Sequence, residues 1–98
     1  MKVRYLREAL LDLDDIAFYI SLENPDAARR TVGGIIARLR VLSSFPGAGR
    51  ERNDLYPGLR SWPINSYVVF YTVTKSEVRI SRILHGRRDL YRTLNEGD

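Results

Sequence analysis

The chain has 98 residues, 44% of them hydrophobic, and carries 16 basic against 12 acidic side chains for a net charge of +4. That length makes one domain with a modest core. With no cysteine and a single histidine, disulfides and thiolate metal sites are excluded, and a zinc site that needs three or four close ligands is not expected.

The lack of cysteine fits a reducing cytoplasm. The N-terminus enters a charged amphipathic pattern with no apolar signal region, and no apolar run approaches the roughly 20 residues that span a bilayer. A soluble cytoplasmic protein without membrane contact is expected. All basic residues are arginine except Lys2 and Lys75, which favours planar recognition of carboxylate or phosphate. The charge is evenly spread between the two halves, so nucleic-acid binding is permitted without being demanded.

Residues 2–6, with Val3, Tyr5 and Leu6 among Lys2, Arg4 and Arg7, read as a first strand. From residue 8 the period changes. Ala9, Leu10, Leu13, Ile16, Ala17 and Ile20 recur at three- and four-residue steps, with Asp12, Asp15, Tyr19 and Glu23 facing away, so 8–23 is an amphipathic helix. Asn24-Pro25 ends it and starts the next helix, over 25–44, with Asn24 as N-cap, Pro25 in the first turn and Asp26 at the favourable end of the dipole. Ala28, Val32, Ile35, Ile36, Leu39 and Leu42 form its apolar stripe. Gly33-Gly34 within it weakens the helix by about 1 kcal/mol per glycine, which predicts close approach of another backbone.

Phe45-Pro-Gly-Ala-Gly49 is a break, with Gly47 and Gly49 read as turn glycines, and a polar loop runs on to Gly58. Strands are predicted over 59–64, 67–73 and 77–85. Pro63 places the first at an edge or a strand end, and Asn65-Ser66 and Thr74-Lys-Ser76 make the turns. The almost continuously apolar Tyr67–Val73 reads as a central strand. In the last strand Val78, Ile80 and Leu84 share a face with Arg82, so either both faces are covered or a bulge shifts the register. Residues 87–98 form a tail. The order is strand, helix, helix and three strands: an α+β domain with a helical hairpin on a small, mainly antiparallel sheet.

No serine lies in a nucleophile elbow and no glycine pattern matches a phosphate loop. Asp14 and Asp15 diverge by about 100° on a helix and do not converge on a substrate. His85 is the residue suited to proton transfer near neutral pH. With Arg60, Arg82 and Arg88 it could form a metal-independent ribonuclease site, the arginines holding the scissile phosphate. The other reading makes His85 a strand-end residue that satisfies a carbonyl or faces a partner. Trp62, Tyr67 and Tyr71 are packing residues or a base-stacking platform.

Pro57-Gly-Leu-Arg-Ser-Trp-Pro-Ile64, Tyr67–Val73 and Arg82-Ile-Leu-His-Gly-Arg-Arg-Asp-Leu90 together resemble the ParE branch of the RelE/ParE toxin superfamily. Leu13-Asp-Asp-Ile-Ala-Phe-Tyr-Ile20, Asn24-Pro25 and the Phe45-Pro-Gly loop match its usual N-terminal half. The resemblance implies a toxin of a type II toxin–antitoxin pair, neutralised by a ParD-like antitoxin that provides most of the contact with DNA. It implies inhibition of DNA gyrase by binding, without turnover and without a cofactor. The alternatives are RelE-type cutting of messenger RNA on the ribosome and a non-toxic co-repressor. RNA-cutting relatives tend to carry an arginine where this chain has Val68, and a tyrosine or histidine near Leu94. Both departures favour binding. His85, Arg87, Arg88, Asp89, Tyr91 and Arg92 are then the expected target-binding residues, with Arg60 and Trp62 on the partner surface.

Overall fold

A computed structural model describes residues 1–87 of the chain. Its elements are β1 (Lys2–Tyr5), α1 (Arg7–Ser21), α2 (Pro25–Leu39), a short α3 (Val41–Ser44), β2 (Arg50–Glu51), β3 (Arg60–Ile64), β4 (Tyr67–Val73) and β5 (Glu77–His85). The strands form one sheet in the order β1-β5-β4-β3-β2. β1 runs parallel to β5 and the other three pairs are antiparallel. Two helices on a five-stranded mixed sheet give the expected α+β arrangement.

The helical periodicity translates directly into packing. Ala9, Leu13 and Ile16 of α1 and Ile35 and Leu39 of α2 are buried against Val69, Tyr71, Val78, Ile80 and Ile83 of the sheet. Asn24 caps α2 as expected, its side chain accepting the Ala27 N–H at 3.0 Å, with Pro25 in the first turn. β4 is buried at three consecutive positions, Val69, Phe70 and Tyr71. Consecutive strand side chains point to opposite faces, so this strand is covered on both.

Four details depart from the sequence reading. The second helix does not run to residue 44. It ends at Leu39, because the Ser43 N–H bonds the Arg40 carbonyl three residues back at 3.0 Å. That tighter turn breaks the α-helical ladder and carries α3, where Leu42 is completely buried. β2 lies in the stretch expected to be loop; two residues are too few to show alternation. Nothing lies within 4 Å of a Cβ built on Gly33 or Gly34, so no backbone approaches there. Gly49 is a site of close approach instead of a plain turn glycine.

The broken alternation of β5 is a bulge. Phe70 pairs with Arg82 while Tyr71 pairs with Ile80, leaving Ser81 as the extra residue. The Ser81 hydroxyl donates to the Phe70 carbonyl at 2.9 Å. The bulge lets Ile80 and Ile83, three apart, share the core face opposite Tyr71 and Val69.

On the opposite face of the sheet, Arg4 and Arg79 are register partners in β1 and β5. Glu77 bridges them, at 2.6 Å from Arg79 Nε and 3.1 Å from Arg4 Nη2. The Arg79 hydrogen bond, with help from Arg4, holds the Glu77 carboxyl below the usual glutamate range. A depressed carboxylate pKa contributes stability that is present above the unfolded-state value and lost as pH falls through the folded value. Glu77→Gln is therefore expected to lower Tm at pH 7 and to leave it unchanged in the most acidic buffer the fold survives. Equal Tm differences at both pH values would contradict this.

Candidate functional site

The predicted site residues fall into two separate groups. His85 ends β5 opposite Tyr67, the first residue of β4. The two rings meet edge to face, with centroids 5.6 Å apart and an interplanar angle of 87°. Beyond it the Gly86 N–H bonds the Ser66 carbonyl at 2.8 Å, and the Arg87 N–H lies 3.3 Å from His85 Nδ1. The chain thus leaves the sheet in a tight turn anchored on the β3–β4 hairpin. Arg87 is exposed there. The other expected target-binding residues, Arg88, Asp89, Tyr91 and Arg92, lie outside the described residues.

Arg60 stands at the other end of the sheet. Its register partner in β4 is Tyr71, four residues from Tyr67, which is about 13 Å at the rise of a strand. β4 also lies between β3 and β5, so the structure does not bring Arg60 and His85 together. Arg60 is engaged as well. Its guanidinium donates to the Gly49 carbonyl at 2.7 Å and the Gly47 carbonyl at 3.4 Å, and reaches Glu51 at 3.5 Å.

The same loop is held from below by Tyr71, whose completely buried hydroxyl accepts the Gly49 N–H at 2.7 Å and donates to the Pro46 carbonyl at 2.9 Å. Burial pushes the Tyr71 pKa up, against smaller opposite effects of the Gly49 hydrogen bond and the Arg60 charge. Arg60 and Tyr71 together clamp the loop between α3 and β2.

Arg82 is likewise occupied, by a residue the periodicity had turned outward. Asp12 of α1 accepts from Arg82 Nε at 2.9 Å and Nη2 at 3.1 Å, and from the Ile83 N–H at 2.8 Å. The reason is an edge. β1 covers β5 only to the level of Ile80, where the Leu6 N–H bonds its carbonyl. Asp12 takes up the next free amide on that edge, and a buried amide without a partner is costly. Only the pairing of β1 with β5 reveals this, so the sequence carries no signal for it.

Trp62 faces the helices and packs on the core, with the Arg38 guanidinium of α2 5.2 Å from its ring centroid. It is a packing residue flanked by a cation. Among the described residues no group of three or more His, Asp or Glu side chains is placed to hold a metal, and no helix is long and apolar enough to cross a membrane.

A helical hairpin over a five-stranded mixed sheet is the fold of the RelE/ParE class of toxins. The profile of the family described as the ParE toxin of the type II toxin–antitoxin system parDE matches residues 3–90. The chain belongs to that family. It is 47% identical over 49 residues to Toxin ParE3 of Caulobacter vibrioides, an alignment spanning 50% of this chain and 49% of that protein. It is 39% identical over 90 residues to Y4kP of Sinorhizobium fredii, covering 89% of this chain and 90% of that one. Among solved structures it resembles a chain of the chromosomal ParDE toxin–antitoxin system of P. aeruginosa. That match has a TM-score of 0.75 at 27% identity, over 87% of this chain and 95% of the other.

Proposed function

We propose that this chain is the toxin of a ParDE-type pair, that it arrests growth by binding DNA gyrase, and that a ParD-like antitoxin neutralises it. The family match over residues 3–90 and the likeness to a ParDE chain support the pairing. The observation that favours binding over RNA cleavage is that two arginines of the ribonuclease reading, Arg60 and Arg82, are engaged elsewhere in the fold. Arg60 is spent on loop carbonyls and Arg82 on Asp12, while His85 lies across the sheet from Arg60. General acid–base cleavage needs its groups within hydrogen-bond reach of one substrate.

In this reading the exit of β5 is the docking surface. His85 against Tyr67 fixes the direction of the turn, and Arg87 with Arg88 presents charge to an acidic protein surface or to cleaved DNA. The test is a supercoiling and cleavage assay with the purified chain. Loss of supercoiling with trapped double-strand breaks is expected. Intact gyrase activity beside codon-positioned cuts in a translation extract would establish the nuclease instead, and absence of growth arrest without antitoxin would leave the co-repressor.

Two variants separate these readings. His85→Ala removes one member of the docking surface and should still arrest growth, with potency lowered by no more than about tenfold, whereas a nuclease that relies on this imidazole would lose activity by about 100-fold or more. Reversing both charges, with Arg87→Glu and Arg88→Glu, should weaken gyrase inhibition at least about tenfold, because like-charge contacts across an interface are strongly unfavourable.

A further inference from the structure

The charge that is evenly spread along the sequence is concentrated by the fold. β1 comes from the start of the chain and β5 from near its end, and the two lie side by side in parallel. Residues 1–7 and 72–82, which build this edge of the sheet, hold Lys2, Arg4, Arg7, Lys75, Arg79 and Arg82 against the single acid Glu77. These two segments therefore carry +5, and the remainder of the chain nets −1.

Asp12 takes Arg82, which leaves a cluster on the sheet face away from the helices. There Lys2 is the register partner of Glu77, and Arg4 that of Arg79. Both guanidiniums donate to one oxygen, Glu77 Oε1. Arg4 uses Nε at 3.2 Å and Nη2 at 3.1 Å, and Arg79 uses Nε at 2.6 Å. Among the described residues neither arginine has another partner, so Arg4 Nη1 and both Nη groups of Arg79 keep their donors unused. The two side chains are 46% and 43% exposed, and Lys2 is exposed. Like charges directly across a strand pair repel, and one carboxylate offsets only one of the two arginines. A fixed surplus of positive charge with open guanidinium forks suits phosphate oxygens.

The surroundings separate the possible anions. Protein interfaces are anchored by apolar and aromatic side chains, and single-stranded nucleic acid by stacking on exposed rings. Beside the cluster on the same face of β4 stand Thr72 and Phe70, and Phe70 is only 5% exposed. Neither kind of anchor is offered there. We infer that this edge of the sheet binds the phosphate backbone of duplex DNA, without reading its sequence, through Lys2, Arg4 and Arg79. DNA is the duplex because the antitoxin and the gyrase of the proposed function both act on it, and that choice rests on the same reading. Lys2 and Arg4 stand about 6.8 Å apart along β1, with Arg79 about 4.8 Å away on β5. The cluster therefore spans two or three successive phosphates of one strand. The contact is weak alone and strengthens a complex already held on DNA, where it becomes intramolecular.

The test is fluorescence anisotropy of a labelled DNA duplex of about 20 base pairs, titrated with the purified chain alone up to about 200 µM, with circular dichroism to verify folding. Three phosphate contacts predict a slope of log K against log salt of about −2.7, so binding should weaken about eightyfold between about 10 and 50 mM salt. Lys2→Gln, Arg4→Gln and Arg79→Gln should each bring the slope about 0.9 nearer zero and weaken binding about tenfold or more at the lowest salt. Arg30→Gln removes the same charge from α2 and should stay within about twofold of the parent. No binding at about 200 µM in the lowest salt, or a slope indifferent to the three substitutions, would overturn the proposal. So would binding that is lost with Arg87→Gln instead, or that is tighter for single-stranded DNA or an RNA duplex than for the DNA duplex. The titration contains neither antitoxin nor gyrase. Its failure leaves the proposed toxicity standing, and a failure to arrest growth leaves the DNA contact standing.

Discussion

Gly49→Ala is expected to destabilise the fold by about 3 kcal/mol, from overpacking together with the loss of a buried hydrogen bond. A Cβ at this position would lie 2.5 Å from the Tyr71 hydroxyl, 2.7 Å from Cε1 and 2.9 Å from Cζ. The ring cannot swing aside. It is completely buried, and its hydroxyl is fixed by Gly49 on one side and Pro46 on the other. Either the ring or the loop must move, and moving the loop also strains the Arg60 bonds to the Gly47 and Gly49 carbonyls. Urea unfolding of the purified variant measures the loss. Tyr71→Phe removes the nearest atom, so Gly49→Ala in that background should cost about half as much, as contacting residues couple. Equal costs in both backgrounds would show that the hydroxyl is not the obstacle.

Asp12→Ala is expected to cost about 2 kcal/mol by the same measurement. The substitution removes two bonds to Arg82 and one to the Ile83 amide. The Arg82 side chain is 40% exposed, so solvent screens the ion pair and its loss falls short of the 3–5 kcal/mol typical of a fully buried pair. Most of the effect then comes from the amide, which has no strand beyond β1 to pair with. Asp12→Asn keeps an acceptor oxygen for that amide and drops the charge, so it should cost about 1 kcal/mol. If Asn proves as costly as Ala, the charge dominates. Hydrogen exchange at Ile83, faster in Asp12→Ala than in Asp12→Asn, separates the two contributions residue by residue.

Both predictions concern contacts absent from the sequence reading, and the omission has a common cause. The amphipathic stripes of α1 and α2, the Asn24-Pro25 cap and the apolar run of β4 are local patterns, and each could be read from residues within a few positions of one another. Asp12 faces outward on a helical wheel because a wheel knows only its own helix. It becomes a partner of Ile83 when β1, pairing parallel with the far end of the chain, stops at the level of Ile80. Arg60 likewise reads as a free cation until Tyr71 and the loop glycines are set beneath it.

Local periodicity and turn chemistry therefore determined the two long helices, four of the five strands, the α+β class and the resemblance that proved to be family membership, and missed β2 and the break before α3. They also located the basic exit of β5 at His85-Gly86-Arg87. Tertiary structure decided what each charged group does: Arg60 holds a loop, Arg82 holds α1, and His85 packs on Tyr67. The physical reason is range. Side-chain spacing within an element is set by the backbone repeat, whereas the partner of a charge is set by which distant strand end or loop carbonyl the sheet brings within about 3 Å of it.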